Sequence, residues 1–412
     1  MIGEIVAIGD ELISGRITNT TSGYAAQKLA AAGYPIRSIH TIGDAVELIG
    51  PTIETSLKRA DFVIITGGLG STTDDLTNEA VIQALGLKGI RHPEIIASIQ
   101  ARLPQPSASQ RAAMEKLAWV PEDATILDDA YRMAGYILAI DGTPLFFLPG
   151  VPPQMEQLLT SKVIPELERR FPRSEQGRIQ RLYRTFGLAE AEINARLLSL
   201  EEQEGVQLGY YPVGCEVHLS LGLNHSSQEA LEPIFQEIDD FIRKQLGPAL
   251  YGMGETSMAA ATGSLLAAAG KTLCVAESCT GGLIASKLTQ VAGSSRWFAG
   301  GVVAYSNRLK ELLLNVDHAL LTNYGAVSPE AARAMAARLA AKVNCDTGVS
   351  VTGIAGPDGG TQEKPVGTVY IGLFHDKQVT ARLHRFSGTR TQIQELTALT
   401  ALDTVRRALL NN

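Results

Sequence analysis

Asp61-Phe62-Val63-Ile64-Ile65-Thr66-Gly67-Gly68 is the most telling stretch of the 412-residue chain. Its apolar run does not alternate with polar residues, so it reads as a strand buried on both faces. Paired glycines stop it, and Leu69-Gly70-Ser71-Thr72-Thr73-Asp74-Asp75-Leu76-Thr77 follows as a polar loop. On its N-terminal side, IVAIG (5–9) reads as a strand, 21–32 as an Ala-rich helix, YPIRSIHTI (34–42) as a strand and 45–60 as a helix. Repeated strand–helix–strand order predicts a parallel sheet covered by helices. YILAIDGTPLFFL (136–148) changes the pattern, because two apolar runs around Asp141-Gly142 predict a tight hairpin. Pro152-Pro153 then opens a further helix.

Phe171-Pro172-Arg173-Ser174 is a cluster of breakers, and a different rhythm follows it. RIQRLYRTF (178–186) alternates like a strand, 190–205 is helical, and VQLGYYPV and CEVHLSLGL pair around Pro212–Gly214. A closing helix runs to Gly247-Pro248, and Tyr251-Gly252-Met253-Gly254 reads as a linker. The α/β order then restarts. A helix at 256–269 precedes strand KTLCVAES (271–278), helix GGLIASKLTQ (281–290), strand WFAGGVVAYS (297–306) and a helix at 328–342. TGVSVTG (347–353) is a strand, VGTVYIGLF and VTARLHRF are a hairpin-like pair, and 391–410 is the last helix. The expected fold class is α/β in three domains: 1–172, a small α+β domain at 173–252, and 253–412.

The formal net charge of −7 is uneven: −6 over 1–172, −5 over 173–250 and +4 over 251–412. An acidic front and middle argue against a nucleic-acid binder, which needs basic surface to neutralise phosphates. The basic balance of the last section permits a small anionic ligand. Four cysteines in so long a chain exclude a disulfide scaffold and suit a reducing compartment. No run of about 18 apolar residues marks a membrane span. Glu4 and Asp10 stand where an export signal would carry positive charge. The expected location is cytoplasmic, with no membrane partner.

Two strand ends in the first section stand out: Gly9-Asp10-Glu11-Leu12, with Asn19 beyond it, and the glycine loop at 66–77. Glycines at a strand's carboxyl end let backbone N–H groups approach a phosphate. Asp74 and Asp75 either cap the next helix or hold a divalent ion that bridges phosphate oxygens. Tight turns with Asp75 as N-cap account for the same residues.

In the last section, Glu277-Ser278-Cys279-Thr280-Gly281-Gly282 ends a strand and opens a helix. The N–H groups of Thr280, Gly281 and Gly282 would there favour an oxyanion or phosphate. Ser278 beside them has the setting of an acyl-transfer nucleophile. No histidine pairs with it in sequence. Lys310, about one helical turn beyond Tyr305 and Ser306, is the candidate base, since a desolvated lysine loses its proton near neutral pH. Ser–Lys pairs are a known alternative to Ser–His. A solvated surface charge is the ordinary reading of a single lysine. Cys279 is a rival nucleophile, read here as packing, and Cys215 and Cys345 are isolated, so no zinc set is spaced correctly. The loop Thr352-Gly353-Ile354-Ala355-Gly356 is either a backbone cradle or a surface turn. Gly270-Lys271-Thr272 is not a Walker loop, because Leu265 occupies the place of its first glycine.

TGGLGSTTDDLT resembles the ligand loop of the molybdopterin-binding, MoaB/MogA-like fold. With GDEL, Asn19 and LPGVPPQM (148–155), it makes residues 1–170 similar to the front domain of the competence/damage-inducible CinA proteins. The resemblance implies an α/β sandwich in which Gly67, Gly68, Gly70 and Asp75 bind phosphates or a divalent metal. Asp10, Glu11, Asn19 and Asp74 would line the same crevice. It also implies metal-dependent hydrolysis of ADP-ribose. ESCTGG, GSSRWF (293–298), VVAYSNRLK, YGAVSPE (324–330), SVTGIAGPDGG and EKPVGTVY (363–370) are similar, in order, to the CinA C-terminal domain. That domain is in turn similar to nicotinamide mononucleotide amidohydrolases. The resemblance implies Ser278 as nucleophile, Lys310 as base, Tyr305 as its support, and Thr280, Gly281, Gly282, Thr352 and Gly353 as substrate contacts, with no cofactor. Every matching position is intact, so an active amidase is expected. The middle section resembles the KH-like domain of full-length CinA. Gly205 and Gly209 lie one residue too far apart for the G-x-x-G clamp of RNA-binding KH domains, so a spacer or dimer element in a homodimer is expected. The alternative is a non-catalytic nucleotide- or molybdopterin-binding, competence-linked interaction protein.

Overall fold

Phe62–Thr66 lies inside a six-stranded mixed sheet, with all five of its residues buried. The strand order is Ile36–Ile42, Gly3–Ile8, Phe62–Thr66, Thr143–Leu148, Tyr136–Ile140, Thr125–Ile126. The first four are parallel and the last two antiparallel. Successive side chains on a strand point to opposite faces. Phe62 and Ile64 therefore enter one core, with Leu29, Met155 and Leu158. Val63 and Ile65 enter the other, with Ile49, Ile53 and Val81. Two cores explain why the run is unbroken. The parallel expectation holds for four strands, and the hairpin at Asp141 (φ +49°) and Gly142 (φ +86°) reverses the sheet. Both turn residues have positive φ, which matches the right-handed twist of the flanking strands.

A computed structural model describes residues 1–103, 105–132, 134–172, 177–225 and 228–410. Two units separate within it, residues 1–175 and 176–412. Arg173 and Ser174 of the breaker cluster lie outside the described residues.

The second unit starts with a four-stranded antiparallel sheet in the order Val206–Val213, Glu216–His225, Gly177–Thr185, Leu250–Met253. Helices Glu190–Glu201 and Gln228–Leu246 supply Ile193, Leu197, Leu231 and Ile242 to its core. The stretch at 251–254 expected as a linker is largely strand. Leu250–Met253 pairs with Gly177–Thr185, Tyr251 is buried, and its hydroxyl donates to Glu216 at 2.8 Å.

A five-stranded mixed sheet follows, in the order Phe298–Val303, Leu273–Glu277, Thr347–Gly353, Thr368–His375, Gln378–Arg385. The first three strands are parallel and the rest antiparallel. Leu273 and Val275 face a core with Met258, Leu266 and Leu402, while Cys274 and Ala276 face one with Leu314, Met335 and Leu339. Phe186 and Tyr251 of the KH-like part belong to the first of these cores, and Arg406 donates to the Pro248 carbonyl. This shared packing makes the last two domains one unit. Cys345, expected to be isolated, meets Cys274: the hydrogen bond between the thiols lowers the Cys345 thiol below its usual range and raises that of Cys274.

Candidate active site

The strand Leu273–Glu277 delivers its last residue and Ser278 to the carboxyl end of the sheet. Glu277 is fully buried. Its carboxylate accepts from Thr280 Oγ1 at 2.6 Å and from the backbone N–H groups of Gly282, Ile284 and Ala285 at 2.9, 3.2 and 2.8 Å. These include donors left unpaired at the start of helix Leu283–Thr289. Gly281 (φ +62°) and Gly282 (φ +103°) let the chain turn left-handed around the carboxylate. The N–H of Gly281 donates to the Ser278 carbonyl at 3.1 Å. The expectation that Gly281 and Gly282 hold free amides for an oxyanion is therefore corrected: both are spent inside the turn. Thr280 spends its hydroxyl on Glu277, which leaves the expectation for its backbone N–H as it stood. Gln394, from the last helix, steadies the turn by donating to the Cys279 carbonyl at 2.8 Å.

Lys310 arrives from the next loop. Ser306 caps helix Asn307–Leu314 by accepting from the Leu309 N–H at 3.2 Å, and Lys310 follows one turn in. It is 1% exposed, so the surface-charge reading fails. Its Nζ lies 3.0 Å from Ser278 Oγ, 2.9 Å from the Ala304 carbonyl and 3.4 Å from the Tyr305 carbonyl. All three contacts are to uncharged oxygens, and burial lowers the amine below its usual value. A neutral amine has two N–H donors and one lone pair. Two carbonyls and one serine hydroxyl satisfy that set, as they also satisfy the three N–H donors of the ammonium form.

Tyr305 touches Lys310 through its carbonyl, whereas the residue as a whole is 59% exposed. The Tyr305 hydroxyl accepts from Arg390 Nη2 at 3.0 Å, and Arg390 Nη1 donates to the Gly356 carbonyl at 2.5 Å. Arg390 thus ties the Tyr305 loop to the Thr352–Gly356 loop. Thr352 is buried with its hydroxyl on the Ala326 carbonyl at 2.7 Å, and a Cβ at Gly353 would lie 2.6 Å from the Val369 side chain. Both residues build the neighbouring strand end. Cys279 is buried and its thiol is pushed up to about 12 by that burial, so it is a poor nucleophile beside Ser278.

The front domain gathers loops in the same way. Asp10 and Asp44 exchange hydrogen bonds, each carboxylate accepting the other's backbone N–H at 3.2 and 2.8 Å. Burial raises the Asp44 carboxyl, and the charges of Asp10, Glu11 and Asp74 push it the same way. The charges of those three expected residues therefore act on Asp44, which sequence reading missed. Asn19 is an N-cap: it accepts from the Ser22 N–H at 3.1 Å and donates to Thr41 at 3.1 Å. Gly67 (φ +101°) and Gly68 (φ +66°) fold the glycine loop tightly, and a Cβ on Gly67 would lie 2.1 Å from the Ile8 carbonyl oxygen. The next helix, Thr77–Ala84, has Leu76 as its N-cap, so neither Asp74 nor Asp75 caps it. Asp75 instead folds back within the loop, accepting from the N–H and hydroxyl of Thr72 at 2.8 and 2.5 Å, against Gly70. No group of three His, Cys, Asp or Glu residues suited to a metal occurs among the described residues. The expected Asp75 metal site does not fit this geometry.

A glycine-loop α/β domain, a KH-like sheet and a mixed sheet with a buried Ser–Lys pair define a three-domain chain of mosaic type. Residues 4–169 match the probable molybdopterin binding domain, 180–252 the damage-inducible protein CinA KH domain, and 255–409 the CinA C-terminal domain. The chain belongs to the CinA family. It is 47% identical over 409 residues to a CinA-like protein of Desulfotalea psychrophila, covering 99% of each chain. It is 36% identical over 413 residues to a putative competence-damage inducible protein of Caldicellulosiruptor saccharolyticus, covering 100% of each. Among solved structures, it is similar to a CinA superfamily protein from Klebsiella pneumoniae, at 28% identity and TM-score 0.37, over 38% of this chain and 97% of that one. Among the described residues, no helix is long and apolar enough to cross a membrane.

Proposed function

We propose that the C-terminal domain hydrolyses the carboxamide of nicotinamide mononucleotide to nicotinic acid mononucleotide and ammonia, a salvage step for pyridine nucleotides. The buried Lys310 amine 3.0 Å from Ser278 Oγ carries this reading. Neutral Lys310 takes the serine proton as Oγ bonds to the amide carbon. The C–N bond then breaks, and Lys310 returns the proton to the departing ammonia. Water, deprotonated by the same amine, cleaves the resulting ester and frees Ser278. Nucleophile and base are both side chains, so the step asks for no cofactor. Arg390 uses two N–H donors on Tyr305 and Gly356 and keeps three for the substrate's anionic group. Chromatography of products from nicotinamide mononucleotide tests the reading: equimolar ammonia and nicotinic acid mononucleotide support it, and unchanged substrate refutes it.

For the front domain we propose binding of a pyrophosphate-bearing nucleotide, ADP-ribose, at the glycine loop, with hydrolysis of its pyrophosphate. Asp75 acts by holding Thr72 against Gly70 rather than by holding an ion. Replacing Asp75 with alanine is expected to weaken ADP-ribose binding about tenfold, equally with and without added manganese. Calorimetric titration reads this. A loss confined to the manganese-containing titration would make Asp75 a metal ligand after all.

A further inference from the structure

The front domain also holds a pocket whose lining includes neither Asp10 nor Asp44. This pocket of about 250 Å³ lies beneath helices Pro93–Arg102 and Ala108–Leu117, beside strand Tyr136–Ile140. Ile95, Ile99, Leu117 and Val120 form its walls. Leu69 of the glycine loop and Asn78 of the following helix close it from behind. An apolar body placed against these walls gains dispersion contacts and takes their apolar surface out of water. Water is a poor filling here, because the polar groups on the floor already satisfy one another. Tyr136 donates to Asn78 Oδ1 at 2.9 Å, and Asn78 Nδ2 donates to the Trp119 carbonyl at 2.8 Å.

Two arginines line the same pocket in a domain of net negative charge. Arg102 braces the rim by donating to the Ser98 and Tyr131 carbonyls at 3.1 and 3.2 Å. Arg132 uses its backbone N–H on Asp128, whose carboxylate also takes the Ala130 N–H and so shapes the turn. The exposed Arg132 guanidinium has no partner among the described residues. The Glu79 charge acts on Tyr136 at the floor, so an anionic end belongs with the arginines.

We propose that this pocket binds a small amphipathic anion: an aromatic or aliphatic body of about bicyclic size with one carboxylate, sulfonate or phosphate. Its body has few hydrogen-bonding atoms, since the walls offer none. That requirement sets the ligand apart from ADP-ribose and from a pterin.

The test titrates the full chain with 8-anilinonaphthalene-1-sulfonate, followed by fluorescence and calorimetry. One saturable site per chain is expected, weakened at least about tenfold by Val120→Trp, which fills the space, and by Arg132→Ala, which removes the cation. The uncharged N-phenyl-1-naphthylamine should bind wild type and Arg132→Ala alike. Excess ADP-ribose should leave the probe in place. Absence of a saturable site, indifference to Arg132→Ala, or competitive displacement by ADP-ribose would overturn the proposal. Arg132 is exposed, so its variant keeps the test valid even where Val120→Trp fails to fold.

Discussion

Lys310→Met is expected to lower kcat for amide hydrolysis on the order of 10³-fold while leaving KM nearly unchanged. Methionine fills most of the lysine's volume but leaves the Ala304 and Tyr305 carbonyls without their Nζ donor, so the thermal transition of the variant is measured beside its kinetics to confirm that it is folded. The lost group is the acceptor for the Ser278 proton, at 3.0 Å. The pH profile separates this role from a structural one. In wild type, activity rises with pH as Lys310 loses its proton. Because burial lowers that pKa, the rise falls below the ordinary lysine value of about 10.4. The residual activity of Lys310→Met should lack this limb. A variant that keeps the limb would assign it to another group.

Glu277→Ala should be the most damaging substitution for stability in the C-terminal sheet. It removes the acceptor of one hydroxyl and three backbone N–H groups in a fully buried place. Leaving such donors unpaired costs about 3 kcal/mol or more. For a unit of this size that is a fall of roughly 6–12 °C in Tm. Amidase activity should fall with it, since Ser278 sits on the same turn. Glu277→Gln keeps one oxygen but turns an NH₂ toward N–H donors, so it should lie between the two. Scanning calorimetry measures the effect, and an unshifted transition for Glu277→Ala would contradict the cap.

The strands at 62–66 and 273–277 were legible because burial on two faces leaves an unbroken apolar run. The Asp141-Gly142 hairpin was legible because its turn demands positive φ. Leu250–Met253 was not: its glycine suggests a break, and only the long-range pairing with Gly177–Thr185 makes it a strand. The Ser278–Lys310 pair was nameable from position at two strand ends, but its burial was not. Glu277 stood in the quoted motif without a role, because a helix N-terminus facing solvent and one facing a buried carboxylate look alike in sequence. Arg390 and Gln394 sit about one turn apart near the start of the last helix and act on residues 85 and 115 positions earlier. No local pattern signals contacts of that range. Asp44, 34 residues from Asp10, was hidden for the same reason, whereas the folded-back Asp75 bonds only three residues away and was hidden because the same acidic loop also reads as a helix cap.

The most direct test measures ammonia released from nicotinamide mononucleotide by the wild-type chain and by Ser278→Ala. The Ser–Lys account predicts turnover by wild type and loss of at least about 10³-fold in the variant. Release by Ser278→Ala at the wild-type rate would contradict it.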